Sequence, residues 1–159
     1  MIDLARRNQP GRPSVKRLHP LASRSRVDLR AAHSLLAKVT GGVEEGEDLP
    51  AAARRETAEE AGLAGGSPLY KLDMVSGVAR IWFAASRDWP ADLYIVAKHH
   101  FGMDVTAEPA PVALSREHSE FRWAPYGEAS EILSYDDDKT ALWELDARLQ
   151  SDDLPAALS

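Results

Sequence analysis

From residue 35 onward the chain alternates short apolar runs with amphipathic stretches, the pattern of strands and helices taken in turn. The run Leu35-Leu36-Ala37-Lys38-Val39 is ended by Thr40-Gly41-Gly42. Residues 50–61 are alanine-rich and predict a helix, with Pro50 suited to its first turn and Gly62 to its C-terminal stop. Strands are predicted over 69–75, 78–85 and 93–101, which are rich in Val, Ile, Tyr, Trp and Phe and parted by Gly or Pro turns. A loop over 104–115, holding Pro109 and Pro111, leads to a short strand around Phe121-Arg122-Trp123 and then to helices over 127–133 and 138–150. The last helix is amphipathic, with Leu142, Leu145 and Leu149 on one face. No repeat and no domain-separating linker interrupts this order, so one α/β domain is expected over 35–152.

Residues 1–34 break the pattern. Eight basic side chains (Arg6, Arg7, Arg12, Lys16, Arg17, Arg24, Arg26, Arg30) stand there against Asp3 and Asp28, with Pro10, Gly11, Pro13 and Pro20 among them. The whole chain carries −6, so a head of +6 is joined to a body of −12. A basic, proline-broken stretch without apolar periodicity reads as an irregular arm, either solvated or anion-binding. The prolines and the two aspartates argue against an organelle transit peptide.

Composition narrows the chemistry. The 159 residues include no cysteine, which excludes disulfides, thiolate nucleophiles and cysteine-based metal sites; any metal sits on oxygen or imidazole. No stretch approaches the roughly 20 apolar residues of a membrane-spanning helix, so no membrane partner is expected. The opening Met1-Ile2-Asp3-Leu4-Ala5-Arg6-Arg7 lacks the apolar core of a secretory signal, and a cytoplasmic location is the expectation. The acidic total argues against nonspecific binding to nucleic acid.

Chemistry concentrates between residues 41 and 63. At about 100° per residue, Glu56, Glu59 and Glu60 share one helix face. Ala51, Ala58 and Ala61 fall opposite, small enough to pack on a sheet and point the acidic face outward. Like charges at these spacings cost a few tenths of a kcal/mol per pair, so stability alone does not ask for them. A hard divalent cation turns the repulsion into coordination, because Mg²⁺ and Mn²⁺ favour carboxylate, carbonyl and water oxygens. Glu47 extends the cluster, the Gly41-Gly42 turn lets backbone approach a metal or phosphate, and Arg55 can orient one carboxylate without ligating.

The spacing Gly41, Glu47, Arg55, Glu56, Thr57, Glu59, Glu60, Gly62, Leu63 reproduces G-x5-E-x7-R-E-U-x-E-E-x-G-U, where U is a bulky apolar residue. The segment resembles the box of the Nudix hydrolases; only Thr57, at a U position, departs. Its seven invariant positions coincide by chance with a probability on the order of 10⁻⁸ per start position. The resemblance implies an α/β/α sandwich with a mixed sheet, and hydrolysis of a diphosphate linkage in a small nucleotide or similar substrate. It implies that Glu56, Glu59 and Glu60 hold Mg²⁺ or Mn²⁺, with Glu47 and the Gly41 carbonyl assisting and Arg55 orienting the glutamates. Glu59, Glu60 and Arg55 are thus the catalytic candidates.

A second stretch, Arg116-Glu117-His118-Ser119-Glu120-Phe121-Arg122-Trp123 followed by a helix and Thr140-Ala141-Leu142, resembles the C-terminal half of the nucleoside triphosphate and dihydroneopterin triphosphate pyrophosphohydrolase branch, and also of the diadenosine tetraphosphate hydrolase branch. This makes Glu117 the candidate further ligand or general base, with Glu120 as the alternative. Thr40-Gly41-Gly42-Val43-Glu44 favours the triphosphate branch. The likeness covers about residues 38–150. The head lacks the long apolar first strand of the family, so either it supplies irregular strands or the chain is a divergent member. A catalytically weak scaffold that senses a nucleotide or RNA is the rival function, and a nucleic-acid tether is a third reading of the arm.

Other signals carry less. Adjacent residues of a strand point to opposite faces, so His99 and His100 are poorly placed to ligate one metal together. Trp82, Trp89, Trp123 and Tyr94 could stack on a base, but Trp82 and Trp123 lie within predicted strands and are expected in the core. Asp136-Asp137-Asp138 complement a helix N-terminus.

Overall fold

A four-stranded sheet lies between helices on both faces. In the computed structural model, which describes residues 2–6, 39–63, 66–106, 112–113 and 122–158, the strands are β1 (Ile2–Arg6), β2 (Val39–Val43), β3 (Leu69–Ala79) and β4 (Ile95–Met103). The helices are α1 (Leu49–Ala61), α2 (Tyr126–Ile132) and α3 (Asp136–Ser151). Sheet order is β2-β1-β4-β3, with β1 parallel to β2 and antiparallel to β4, and β3 antiparallel to β4. The sheet is therefore mixed, and the α/β sandwich expected from the sequence is present.

Alternation along β4 distributes its side chains between the two layers. Phe101 and Met103 pack with Val43, Leu69 and the small α1 residues Ala52 and Ala53. On the opposite face, Leu72 and Met74 of β3 pack with Ala129 of α2 and with Ala141, Leu142 and Leu145 of α3. Helix α1 opens on Asp48, whose side chain accepts from the Ala51 N–H at 2.8 Å, with Pro50 in the first turn. It closes on Gly62 at φ 66°, where an added Cβ would stand 2.8 Å from that of Ala113.

Several expectations are corrected. Residues 2–6 of the supposed arm form a strand inside the sheet, because β1 draws ladder partners on both sides; residues 7–38 lie outside the described set. Gly41 and Gly42 belong to β2 and are not a turn. The predicted strands 69–75 and 78–85 are one long β3, after which the chain turns through 3-10 segments at Arg80–Trp82 and Ala84–Asp88. Trp82 is consequently 77% exposed, not a core residue, whereas Trp89 is buried against Phe83 at a ring distance of 5.1 Å. Arg122 and Trp123 are in irregular backbone, and Phe121 lies outside the described residues. On α1 the packed face is Ala52, Ala53, Thr57, Glu60 and Ala61, while Ala51 and Ala58 are exposed.

The outer edge of β3 is guarded. Both oxygens of Glu144 on α3 accept its backbone donors, from Asp73 at 2.7 Å and Met74 at 2.9 Å, where a register shift breaks the ladder with β4. Leu158 pairs with Leu69 at the strand's start. Capped donors of this kind keep an edge strand from recruiting another chain. No helix among the described residues is long and apolar enough to cross a membrane.

Candidate active site

Arg55 is the hub of the region that the sequence singles out. Its Nε and Nη2 donate to the two oxygens of Glu47, both at 2.9 Å, in a fork-to-fork pair. Nη1 donates to Glu56 Oε1 at 2.9 Å, and Nη2 also reaches the Gly42 carbonyl at 2.7 Å. Glu56 Oε1 in turn accepts the Gly42 N–H at 3.2 Å. The Arg55 guanidinium holds the Glu47 carboxyl below its ordinary value, helped by the Glu44 N–H and opposed by burial. Glu47, foremost, drives the arginine's own pKa upward. Helix, loop and strand are thereby locked to one another by a single side chain.

The four glutamates end in different environments. Glu47 and Glu56 are bound to Arg55, and Glu59 lies 3.7 Å from it with its side chain 58% exposed. Glu60 turns onto the buried face of α1, 6% exposed. The second oxygen of Glu56 makes no hydrogen bond or ion pair among the described residues. Gly41 stands in β2 opposite Leu4 of β1. Thr57 fits its apolar surroundings because its hydroxyl donates to the Ala53 carbonyl at 2.7 Å. Glu117 and Glu120 lie outside the described residues.

The donors on this flank are carboxylate and carbonyl oxygens, which suit a hard divalent cation. Among the described residues, the second oxygen of Glu56 and the exposed Glu59 carboxylate are the groups open to it. The flank also has a definite outlook. Arg54, on the other side of α1, donates to the carbonyls of Ser67 and Leu158, at the start of β3. Arg55 and Glu56 grip Gly42, at the end of β2. The acidic flank therefore faces the end of the sheet where β2 stops, β3 finishes and β4 begins. A cavity of about 490 Å³ lies beside Arg54, but its polar groups are already engaged, Asp48 as the helix cap and Arg54 by those two carbonyls.

A second cluster, poorly legible in the sequence, is buried under α3. Lys98 Nζ lies 2.7 Å from Asp137 and 2.6 Å from Asp138, and the Ser76 hydroxyl also donates to Asp137. His100 is fully buried, with Nδ1 3.2 Å from the Met74 carbonyl and Nε2 3.7 Å from Asp138. Burial alone would raise the Asp137 carboxyl; the Lys98 ammonium and the Ser76 hydroxyl overcome this and lower it. His100, Asp137 and Asp138 have ligand atoms within 4.8 Å of one another, a donor set that could hold a cation. The Lys98 ammonium already stands beside both aspartates and supplies the positive charge they require. The aspartates that complement the start of α3 thus also fasten it to the sheet. The sequence signal is Lys98 two residues before His100, which puts both side chains on one face of the strand.

Residues 21–145 match the model of the NUDIX domain. A solved structure of a candidate NUDIX hydrolase from Listeria monocytogenes superposes with a TM-score of 0.67 at 28% identity, over 98% of this chain and 95% of that one. An Ap4A hydrolase binary complex from C. elegans matches at 26% identity over 70% of this chain and 74% of that one, with a TM-score of 0.48. The chain belongs to the Nudix family and is a pyrophosphohydrolase, an enzyme type that uses divalent metal ions and acts on small nucleotide-containing substrates.

Proposed function

We propose that the enzyme cleaves a diphosphate linkage of a nucleoside triphosphate or a related compound such as dihydroneopterin triphosphate, releasing a monophosphate product. The observation that carries this reading is the Arg55 hub. It neutralises Glu47 and pins one oxygen of Glu56 against Gly42, while the other oxygen makes no hydrogen bond among the described residues and the Glu59 carboxylate beside it is exposed. In this reading Glu56, Glu59 and Glu60 hold Mg²⁺ or Mn²⁺, with Glu47 and the Gly41 carbonyl in support. Residues 35–152 carry the catalytic domain, and Glu117 is the further ligand or base.

When bound, the cation offsets charge on the diphosphate oxygens and makes the attacking water more acidic. Arg55 keeps Glu56 in one orientation, so that little reorganisation is left for the moment of reaction. A carboxylate among Glu59, Glu60 and Glu117 takes the proton of the water as its oxygen bonds to phosphorus and the bridging oxygen departs with the other phosphate.

The test offers purified protein dNTPs, NTPs, dihydroneopterin triphosphate, diadenosine polyphosphates, ADP-ribose and 5′-triphosphate RNA, with metal and with chelator. Metal-dependent turnover of a triphosphate, reduced at least about 100-fold by Glu59→Gln or Glu60→Gln, is the expected result. Glu59 is exposed, so its glutamine variant should retain wild-type stability and lose activity alone. Turnover that persists in chelator, or that neither variant alters, sinks the proposal.

A further inference from the structure

Helix α1 carries two consecutive arginines that reach in different directions. Arg55 reaches β2, whereas Arg54 Nη1 and Nη2 donate to the carbonyls of Ser67 and Leu158, each at 2.7 Å. Leu158 belongs to a strap that leaves the end of α3. Asp152 closes that helix at φ 53°, and residues 153–158 run from there to the start of β3, the last strand in the sheet order. At that point the Leu158 N–H donates to the Leu69 carbonyl at 2.8 Å, and the Leu158 side chain packs against the cluster that holds Ala52 and Ala53 of α1. The strap therefore starts on the α3 face of the sheet and ends on the α1 face, where Arg54 clamps it.

At about 100° per residue, Arg54 and Glu59 lie about 140° apart around α1. Arg54 stands on one flank of the buried stripe that runs through Ala53, Thr57 and Ala61, and Glu56 and Glu59 stand on the other. Small side chains let the helix come close to the sheet, but their shallow ridges resist rolling poorly. The tethers on the two flanks then decide the roll: Arg54 toward the start of β3, and Glu56 with Arg55 toward Gly42 at the end of β2. With side-chain ends about 5–6 Å from the helix axis, a roll of about 10° moves a carboxylate by about 1 Å. Mg²⁺ takes oxygens at about 2.0–2.1 Å in near-ideal octahedral geometry and does not absorb a displacement of that size.

We propose that Arg54 and the strap of residues 153–158 position the acidic flank: the clamp sets the roll of α1, and through it the place that the Glu56 and Glu59 carboxylates take around a divalent cation. Arg54 is a positioning residue, acting through the helix and not by contact with the cation. The inference rests on the metal-dependent reading above and deepens it, since it makes a segment outside the box a determinant of metal affinity. Linkage makes the effect reciprocal: as much as the closed clamp favours the cation, the bound cation favours the closed clamp.

Mn²⁺ binding, followed by the EPR signal of the free ion, tests this on the folded protein without substrate. Arg54→Ala, and Leu158→Pro, which removes the N–H that Leu69 accepts, should each raise the Mn²⁺ Kd at least about fivefold. Arg54→Lys, able to reach one of the two carbonyls, should fall between Arg54→Ala and wild type. Leu133→Ala hollows the core on the opposite face of the sheet and lowers stability, yet should leave the Kd within about twofold. The wild-type protein gives a readout that does not depend on any variant folding. Saturating Mg²⁺ should slow hydrogen exchange of the Leu158 amide at least about fivefold, and that of the Leu133 amide less than about twofold. An Arg54→Ala protein that unfolds more easily but binds Mn²⁺ as wild type does, or a Leu158 amide whose exchange Mg²⁺ leaves unchanged, overturns the inference; metal-dependent turnover in the substrate panel would still leave the proposed function standing. A wild-type protein that binds no Mn²⁺, together with a silent panel, overturns the proposed function and the inference with it.

Discussion

Replacing Arg55 with alanine removes four hydrogen bonds at once: two to Glu47, one to Glu56 and one to the Gly42 carbonyl. The guanidinium side chain is 24% exposed and its partners Glu47 and Glu56 are 15% and 13% exposed, so the group is screened by solvent only in part. Charge-assisted bonds at such sites contribute about 1.5–3 kcal/mol each when taken singly, but they share one side chain and are not additive. After relaxation and water entry, a net loss of about 2–3 kcal/mol is expected, below the cost of breaking a fully buried pair. With a urea slope near 2 kcal/mol/M, that moves the unfolding midpoint down by about 1–1.5 M. Arg55→Lys keeps the charge without the fork and should lose roughly half as much. The pH dependence follows from the direction of the Glu47 shift. Its folded pKa lies below the ordinary 4.5, so its contribution is fully present above pH 4.5 and is lost as the pH falls through the lower folded value. The gap between wild type and Arg55→Ala should be full at pH 7 and narrow progressively as the pH falls below 4.5. An unchanged midpoint at pH 7, or a gap as wide at pH 3 as at pH 7, refutes the assignment of Arg55 as the hub.

Other outcomes follow from the packing. Lys98→Met leaves Asp138, which is fully buried, without its ammonium partner and should cost about 3 kcal/mol in chemical denaturation, far more than a surface ion pair would. Gly62→Ala places a Cβ at φ 66° and 2.8 Å from that of Ala113, and a loss of about 1–2 kcal/mol in thermal or urea unfolding is expected. Glu144→Ala frees the Asp73 and Met74 N–H groups at the edge of β3; amide exchange at these two positions should accelerate, with stability lower by about 1–2 kcal/mol.

The sequence by itself determined the helix of the box and its ends, because those are local: Asp48 and Pro50 start α1, and Gly62, in the left-handed conformation, stops it. It also made the box legible, since the spacing of Gly41, Glu47, Arg55, Glu56, Glu59 and Glu60 is a property of the chain and needs no packing to be read. Tertiary structure decided what each of those carboxylates meets. Wheel geometry alone grouped Glu60 with Glu56 and Glu59 on an outward face, yet in the folded protein Glu60 is buried. Pairing across the sheet likewise made a strand of residues 2–6, in which local periodicity is too short to register, because β2 and β4 satisfy its backbone on both sides. The same non-local logic set Lys98 between Asp137 and Asp138 from a strand and a helix some 40 residues apart. It also left Trp82 in solvent, where a strand had been expected to bury it. Propensity and spacing fix which groups the chain offers, and the relative placement of strands and helices fixes which of them are paired, buried or left open to a substrate.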